Sequence, residues 1–98
     1  MTKVEAADYV VIYDISKARE RRRVDQTLKG FGQRVQKSVF ECRLRKRDKE
    51  ELTRRIEGLG LQTGFVKIYR LEYASSSPVL GSPPATKDGP ETPSAYIV

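Results

Sequence analysis

Residues 9–14 read Tyr-Val-Val-Ile-Tyr-Asp, an unbroken run of β-branched and aromatic residues that ends on a carboxylate. Such a run favours a strand that is apolar on both faces and must therefore be covered on both sides. Asp14 then stands where a buried element reaches the surface. Because a strand fixes an acid in place while the following loop leaves it accessible, Asp14 is a candidate for chemistry.

A first amphipathic helix follows this strand. Val24, Leu28 and Phe31 recur at helical spacing and predict one buried stripe. Ser16 is the predicted N-cap, and Gly30 is expected to end the helix in a left-handed turn.

A second amphipathic helix is predicted after residue 47. Residues 48–51 read Asp-Lys-Glu-Glu, a capping box that predicts Asp48 as the N-cap. Two ion pairs at i,i+4 spacing are expected on its outer face, Glu50 with Arg54 and Glu51 with Arg55.

Two further segments have strand patterns. Residues 34–44 alternate in part and predict a hairpin that turns near Lys37 and Ser38, and residues 65–73 alternate clearly, with Lys67 as the exception on its face. The order strand, helix, strand, strand, helix, strand predicts an α+β, ferredoxin-like βαββαβ fold, with a four-stranded antiparallel sheet and two helices on one face. Strands one and four are expected at the centre of the sheet or next to it, and the uncovered face needs a partner.

The chain is short enough for one domain, so its core is small and a second subunit would cover more apolar area. We expect the ferredoxin-like domain to span residues 1–73. Residues 74–98 form a Pro- and Ser-rich arm that cannot fold alone. The arm ends in Tyr96, Ile97 and Val98, a short predicted strand that would pair with a sheet edge of this subunit or of another.

Positive charge is concentrated in the predicted domain. The chain has 19 Lys and Arg and 13 Asp and Glu, and residues 74–98 carry a net −1, so the charge of +6 leaves +7 for residues 1–73. A unit this basic favours a polyanion partner, although a charged helix face is also commonly just solvated. The candidate phosphate contacts are Arg19, Arg21, Arg22, Arg23, Arg43, Arg45, Lys46 and Arg47.

Composition excludes several kinds of site. The chain has no histidine, which excludes Ser-His and Cys-His nucleophile pairs and histidine zinc sites. Cys42 is expected to be a buried thiol in a reducing compartment. No apolar run is long enough for a membrane span or a secretory signal, so we expect a cytoplasmic protein.

Residues 29–32 resemble the start of an RNA-recognition signature, but the polar residues after them and their place at a helix end argue against that fold.

Four separated motifs occur together in this sequence. They are residues 9–15 (Tyr-Val-Val-Ile-Tyr-Asp-Ile), the arginine-rich start of the first helix, residues 32–42 (Gly-Gln-Arg-Val-Gln-Lys-Ser-Val-Phe-Glu-Cys) and residues 66–71 (Val-Lys-Ile-Tyr-Arg-Leu). In this order and at this spacing they closely resemble the CRISPR-associated Cas-two family. The resemblance covers about residues 8–73 and extends more loosely into the arm.

The resemblance implies a homodimer that works in spacer acquisition, bridges two copies of an integrase partner and holds double-stranded DNA. Some members have been described as metal-dependent nucleases, so single-stranded RNA is a second candidate ligand. In that family the strand-end aspartate is the proposed ligand of Mg²⁺ or Mn²⁺, which corresponds to Asp14 with Tyr13 before it. The remaining matches are Arg21 and Arg23 on the first helix, Arg34 and the candidate substrate contact Phe40 in the hairpin, and the arm residues 96–98, which would pair with the other subunit.

Three hypotheses follow. The first is a scaffold that binds a duplex along a basic surface and organises the integrase. The second is an endonuclease in which the Asp14 carboxylates of two subunits share one metal ion. The third, a ligand-binding regulatory dimer of the same fold, is disfavoured by the charge. A structural acid at the strand end is the simplest alternative for Asp14.

Overall fold

The structure is a computed structural model in which residues 5–72 and 78–82 are described. Its element order confirms the predicted βαββαβ arrangement. The elements are β1 (Ala6–Ile15), α1 (Ala18–Lys29), β2 (Gly32–Gln36), β3 (Val39–Arg45), α2 (Lys46–Gly58) and β4 (Gly64–Leu71).

The four strands form one antiparallel sheet in the order β2-β3-β1-β4. β1 is central, and β4 lies beside it at the edge, as expected. The hairpin of β2 and β3 turns at Lys37 and Ser38, and its register shifts between Arg34 and Gln36. The predicted strand at Tyr96, Ile97 and Val98 lies outside the described residues. Neither of the helices within residues 5–72 is long and apolar enough to cross a membrane.

The side chains of β1 alternate between two different surfaces. Tyr9, Val11, Tyr13 and Ile15 are buried in the core, as are Val24 and Leu28 of α1 and Leu52 of α2. This helix-covered face confirms the predicted stripe at Val24 and Leu28, while its third residue, Phe31, follows α1 and is partly buried. The intervening residues of β1 and their cross-strand partners in β3 and β4 lie on the opposite surface, which we call the helix-free face. Its residues are Ala6, Asp8, Val10, Ile12, Asp14, Val39, Glu41, Arg43, Arg45, Phe65, Lys67, Tyr69 and Leu71.

Both helix N-terminal predictions are wrong. α1 begins after Lys17, because the backbone N–H of Ser16 donates to the carbonyl oxygen of Thr63 at 2.9 Å and holds Ser16 outside the helix. α2 begins after Arg45, which is the last residue of β3, so Asp48 lies inside the first turn. Neither N-cap residue makes a side-chain capping hydrogen bond.

Two smaller predictions also differ from the structure. Gly30 caps α1 with a φ of −79°, so the left-handed turn expected there is absent. Glu51 binds Arg55 as expected, with Nε and Oε2 3.0 Å apart, but Arg54 also binds Glu51 rather than Glu50. Two guanidinium groups therefore hold the pKa of Glu51 below its ordinary value, with the hydrogen bond from Arg55 as the main cause.

Candidate functional site

Asp14 is the second-last residue of β1, and its side chain is exposed on the helix-free face. Its cross-strand partner is Phe65 of β4, whose ring is 52% exposed. Among the described residues the Asp14 carboxylate has no hydrogen-bond or ion-pair partner. It is therefore accessible to a ligand, as the sequence predicted for an acid at a strand end.

Tyr13 lies on the other side of the sheet from Asp14. It is 4% exposed, and its hydroxyl donates to the carboxylate of Asp25 and, at 3.1 Å, to the carbonyl oxygen of Lys37. Burial, followed by the hydrogen bond to Asp25, raises the pKa of Tyr13 well above its ordinary value. The two residues predicted to act together are adjacent in sequence, but strand alternation points their side chains in opposite directions.

Arg34 of β2 is paired within the fold. Its guanidinium lies 2.8 Å from Asp25 Oδ2 and donates to the carbonyl oxygen of Lys37 at 2.8 Å. The same guanidinium lies 5.3 Å from the centroid of the Phe40 ring, which is fully buried in the core. The structure therefore brings Arg34, Phe40 and Tyr13 together on the helix-covered face, away from Asp14.

The arginines of α1 differ in their surroundings. Arg21 donates through Nη1 to the carbonyl oxygens of Ile15 and Ser16, each at 2.8 Å, so it ties the end of β1 to the first turns of the helix. Arg19, Arg22 and Arg23 are exposed and have no side-chain partner among the described residues. These three can meet a phosphate without breaking an existing hydrogen bond.

The basic run of residues 43–47 is divided between surfaces. Arg43 lies on the helix-free face and binds Asp8, with Nη1 and Oδ2 3.0 Å apart. Arg45 is exposed and, by its pairing with Ala6, belongs to the same face. Lys46 and Arg47 are exposed in the first turn of α2. The run therefore does not form one continuous binding strip with the arginines of α1.

Two acids that sequence reasoning missed connect the elements around β1. Glu20 is 9% exposed and accepts hydrogen bonds from the backbone N–H groups of Gln62 and Thr63 and, at 2.6 Å, from the Thr63 hydroxyl. The hydrogen bond from the hydroxyl is the main cause of a pKa for Glu20 below its ordinary value. Its place four residues before Val24, in line with the apolar stripe, was a readable signal. Asp25 gave no such signal.

Glu41 is a third unusual acid. It lies on the helix-free face opposite Val10, and its Oε1 is buried without a hydrogen-bond partner in the described parts of the chain. Burial, with the nearby charge of Asp8, raises the pKa of the Glu41 carboxyl. Beside it in β3, Cys42 is buried on the other face, as predicted, and burial raises the pKa of its thiol to about 11.

A metal site within one chain would need several ligands close together. Among residues 5–72 and 78–82, no group of three acids or thiols is arranged to hold an ion. Asp14 offers a single carboxylate. Mg²⁺ keeps several waters and commonly takes one or two carboxylates together with substrate phosphates, so Asp14 of one chain supplies only the smallest such ligand set.

Comparison with known proteins gives consistent matches. The family model described as "CRISPR associated protein Cas2" matches residues 8–77. CRISPR-associated endoribonuclease Cas2 3 of Synechocystis is 39% identical over 82 residues, covering 81% of this chain and 89% of the relative.

Solved structures agree with that match. A hypothetical protein from Thermus thermophilus superposes with a TM-score of 0.72 at 37% identity, covering 84% of this chain and 99% of the other. Cas2 of Streptococcus pyogenes, crystallised at pH 6.5, superposes with a TM-score of 0.66 at 25% identity, covering 76% and 99%.

Proposed function

This chain belongs to the CRISPR-associated protein Cas2 family, and from that premise we propose that it is a homodimeric, nucleic-acid-binding scaffold for the integration of new spacers with an integrase partner. The observation that carries the proposal is the contrast between the two sides of the sheet. One side is covered by two helices with exposed arginines, and the other has no covering element among the described residues.

The helix-free face is suited to a second copy of the chain. Val10 and Ile12 lie along its centre. Tyr69, the cross-strand partner of Val10, is 44% exposed, and Phe65, two residues before Lys67 on the same face of β4, is 52% exposed. Contiguous exposed apolar side chains are typical of protein–protein contacts. Covering them by another copy would add the apolar burial that a domain of this size lacks.

Dimerisation through this face would leave the helices outermost. The unpaired Arg19, Arg22 and Arg23 would then appear twice on the outer surface, where they would bind the backbone of double-stranded DNA without sequence preference. We further propose that residues 1–73 form the domain and that the arm of residues 74–98 contributes Tyr96–Val98 to the dimer or to the partner complex.

An alternative function is a metal-dependent endonuclease, which the exposure of Asp14 and the name of the Synechocystis relative support. In this proposal the Asp14 carboxylates of two copies hold a Mg²⁺ or Mn²⁺ ion, which supplies an activated water and stabilises charge on the phosphate. Arginines of α1 hold the substrate backbone. Single-stranded RNA and duplex DNA are both candidate substrates. The buried and hydrogen-bonded Tyr13 supports Asp14 through the backbone rather than by touching substrate.

An Asp14→Ala variant distinguishes the two functions. We expect it to keep duplex binding and spacer insertion with the integrase partner, while any Mg²⁺-dependent cleavage by the wild type disappears. Loss of insertion with duplex binding intact would contradict the scaffold. A matched control is Glu57→Gln, which removes an exposed acid from α2, far from Asp14 in the chain, and should change neither reaction.

A further inference from the structure

A cluster of side chains joins β1, α1, β2 and the β2–β3 turn at one point of the helix-covered face. Asp25 accepts hydrogen bonds from the Tyr13 hydroxyl and from Arg34, whose Nη2 lies 2.8 Å from Asp25 Oδ2. The carbonyl oxygen of Lys37 also accepts from both, at 3.1 Å from Tyr13 and 2.8 Å from Arg34. Tyr13 and Arg34 therefore donate to the same two acceptors, the Asp25 carboxylate and the Lys37 carbonyl oxygen.

The backbone of Tyr13 belongs to the same cluster. Its N–H donates to the carbonyl oxygen of Ser38 at 3.1 Å. The Phe40 ring packs beside the cluster, 6.4 Å from the Tyr13 ring and 5.3 Å from the Arg34 guanidinium. Because Tyr13 directly precedes Asp14, each of these interactions also restricts where the backbone can place the Asp14 carboxylate.

We propose that Asp25 is a positioning residue for Asp14 and that Arg34 acts through Asp25 instead of contacting nucleic acid. Nη1 and Nη2 of Arg34 are already bonded to acceptors of the protein, one of them a carboxylate. The Arg34 side chain is 38% exposed and keeps three further N–H groups. A phosphate that drew the guanidinium away from this position would break a charge-assisted hydrogen bond and leave Asp25 without its cation. The proposal rests on the proposed function only for what Asp14 does once it is positioned.

The first test compares Arg34→Gln with Arg22→Gln in a salt titration of binding to a fluorescein-labelled DNA duplex. Arg22 is exposed on α1 without a partner among the described residues and serves as the matched phosphate contact. The slope of log K against log salt is negative, and removing one phosphate contact decreases its steepness by about 0.9. We expect that decrease for Arg22→Gln and an unchanged slope for Arg34→Gln. An equal decrease in both variants would overturn the proposal.

The second test does not depend on nucleic acid. Hydrogen exchange of the Tyr13 amide, followed by NMR, should be roughly tenfold faster in Asp25→Asn, since the Tyr13 and Arg34 side chains no longer bind a charged acceptor. The double variant Asp25→Asn/Arg34→Gln should exchange no faster than the faster single variant, because residues of one network are not additive. The Ala7 amide, at the far end of β1, is the internal control and should not change.

A tyrosine signature completes the test. In Asp25→Asn the near-ultraviolet circular dichroism signal of Tyr13 at neutral pH, identified by its loss in Tyr13→Phe, should change, because the hydroxyl no longer donates to a carboxylate. If Asp25→Asn fails to fold, Tyr13→Phe, which removes only the hydroxyl, should give the same faster amide exchange. Unchanged exchange in every folded variant would overturn the positioning role. Absence of duplex binding by the wild type would contradict the proposed function and leave the amide exchange to decide the role of Asp25.

Discussion

Gly64 of β4 lies directly against the backbone of Asp14 in β1. A Cβ placed on Gly64 would come within 2.7 Å of the Ile15 Cα and closer still to the carbonyl oxygen of Asp14. This approach is between backbones, so no flexible side chain can move to make room. The strand that holds the candidate carboxylate therefore depends on a residue without a side chain in the neighbouring strand.

Replacing Gly64 with Ala should destabilise the protein by about 1–3 kcal/mol, the usual cost of overpacking. Urea unfolding monitored by circular dichroism measures the change. Gly58→Ala is the matched control. Gly58 is the last residue of α2, and a Cβ placed on it would have no heavy atom within 4 Å. We expect it to be neutral or stabilising by about 0.5–1 kcal/mol. Equal effects of the two substitutions would contradict the close-approach argument.

Glu20→Gln should weaken the link between α1 and the loop before β4, because a charged acceptor of three hydrogen bonds becomes a neutral one. The pKa of Glu20 in the folded protein is below its ordinary value of 4.5, so the unfolded state binds the proton first as the pH falls. The charge-dependent stabilisation is therefore present at neutral pH and is lost as the pH falls from about 4.5 through the lower folded value.

Urea midpoints of wild type and Glu20→Gln should thus differ at neutral pH and converge as the pH falls below the ordinary glutamate pKa of 4.5. Glu57→Gln, which changes an exposed acid of α2, should show no such convergence because the Glu57 carboxylate accepts no comparable set of hydrogen bonds from the described residues. A gap that stays constant across this range would contradict a role for the Glu20 charge.

Tyr69→Glu should convert the proposed dimer to a monomer. Tyr69 is 44% exposed at the middle of β4 on the helix-free face, so a carboxylate there is solvated in the monomer and buried in the dimer. Sedimentation velocity measures the change. Tyr69→Phe keeps the ring and should remain a dimer. A dimer that survives Tyr69→Glu would place the interface elsewhere.

Arg21 and Arg23 should affect different measurements. Arg23→Gln should lower the salt slope of duplex binding by about 0.9 for each phosphate that the variant no longer binds. Arg21→Gln should instead lower stability by about 1 kcal/mol, because its hydrogen bonds to the carbonyl oxygens of Ile15 and Ser16 disappear. Thermal unfolding and a fluorescence anisotropy titration of both variants separate these outcomes, and a reversed pattern would contradict the assignment.

The element order was readable from the sequence because hydrophobic periodicity reflects burial, and the stripe of Val24 and Leu28 faces the core as expected. The helix starts were not readable. Ser16 and Asp48 are good capping residues, but a tertiary hydrogen bond to Thr63 and the direct passage from β3 into α2 determined where the helices begin. Such tertiary constraints override the local preference of a residue for a capping position.

The candidate site was predictable only in part. Exposure of Asp14 follows from its place at the end of an apolar strand. The pairing of Arg34 with Asp25 joins residues of β2 and α1, and nothing in their spacing indicates it. Charge alone also could not show that Arg21 donates hydrogen bonds to backbone carbonyl oxygens of its own chain, whereas Arg22 and Arg23 have no such partner among the described residues.

The burial of Cys42 has a practical consequence for measuring the assembly. The sequence contains a single sulfhydryl, and it is sealed in the interior with a pKa of about 11, so alkylating reagents at neutral pH would meet little thiolate there. A cysteine introduced on the outer side of α1 would then be the preferred attachment point for a spin label. Distances between two such labels would report directly how far apart the helices of neighbouring molecules lie.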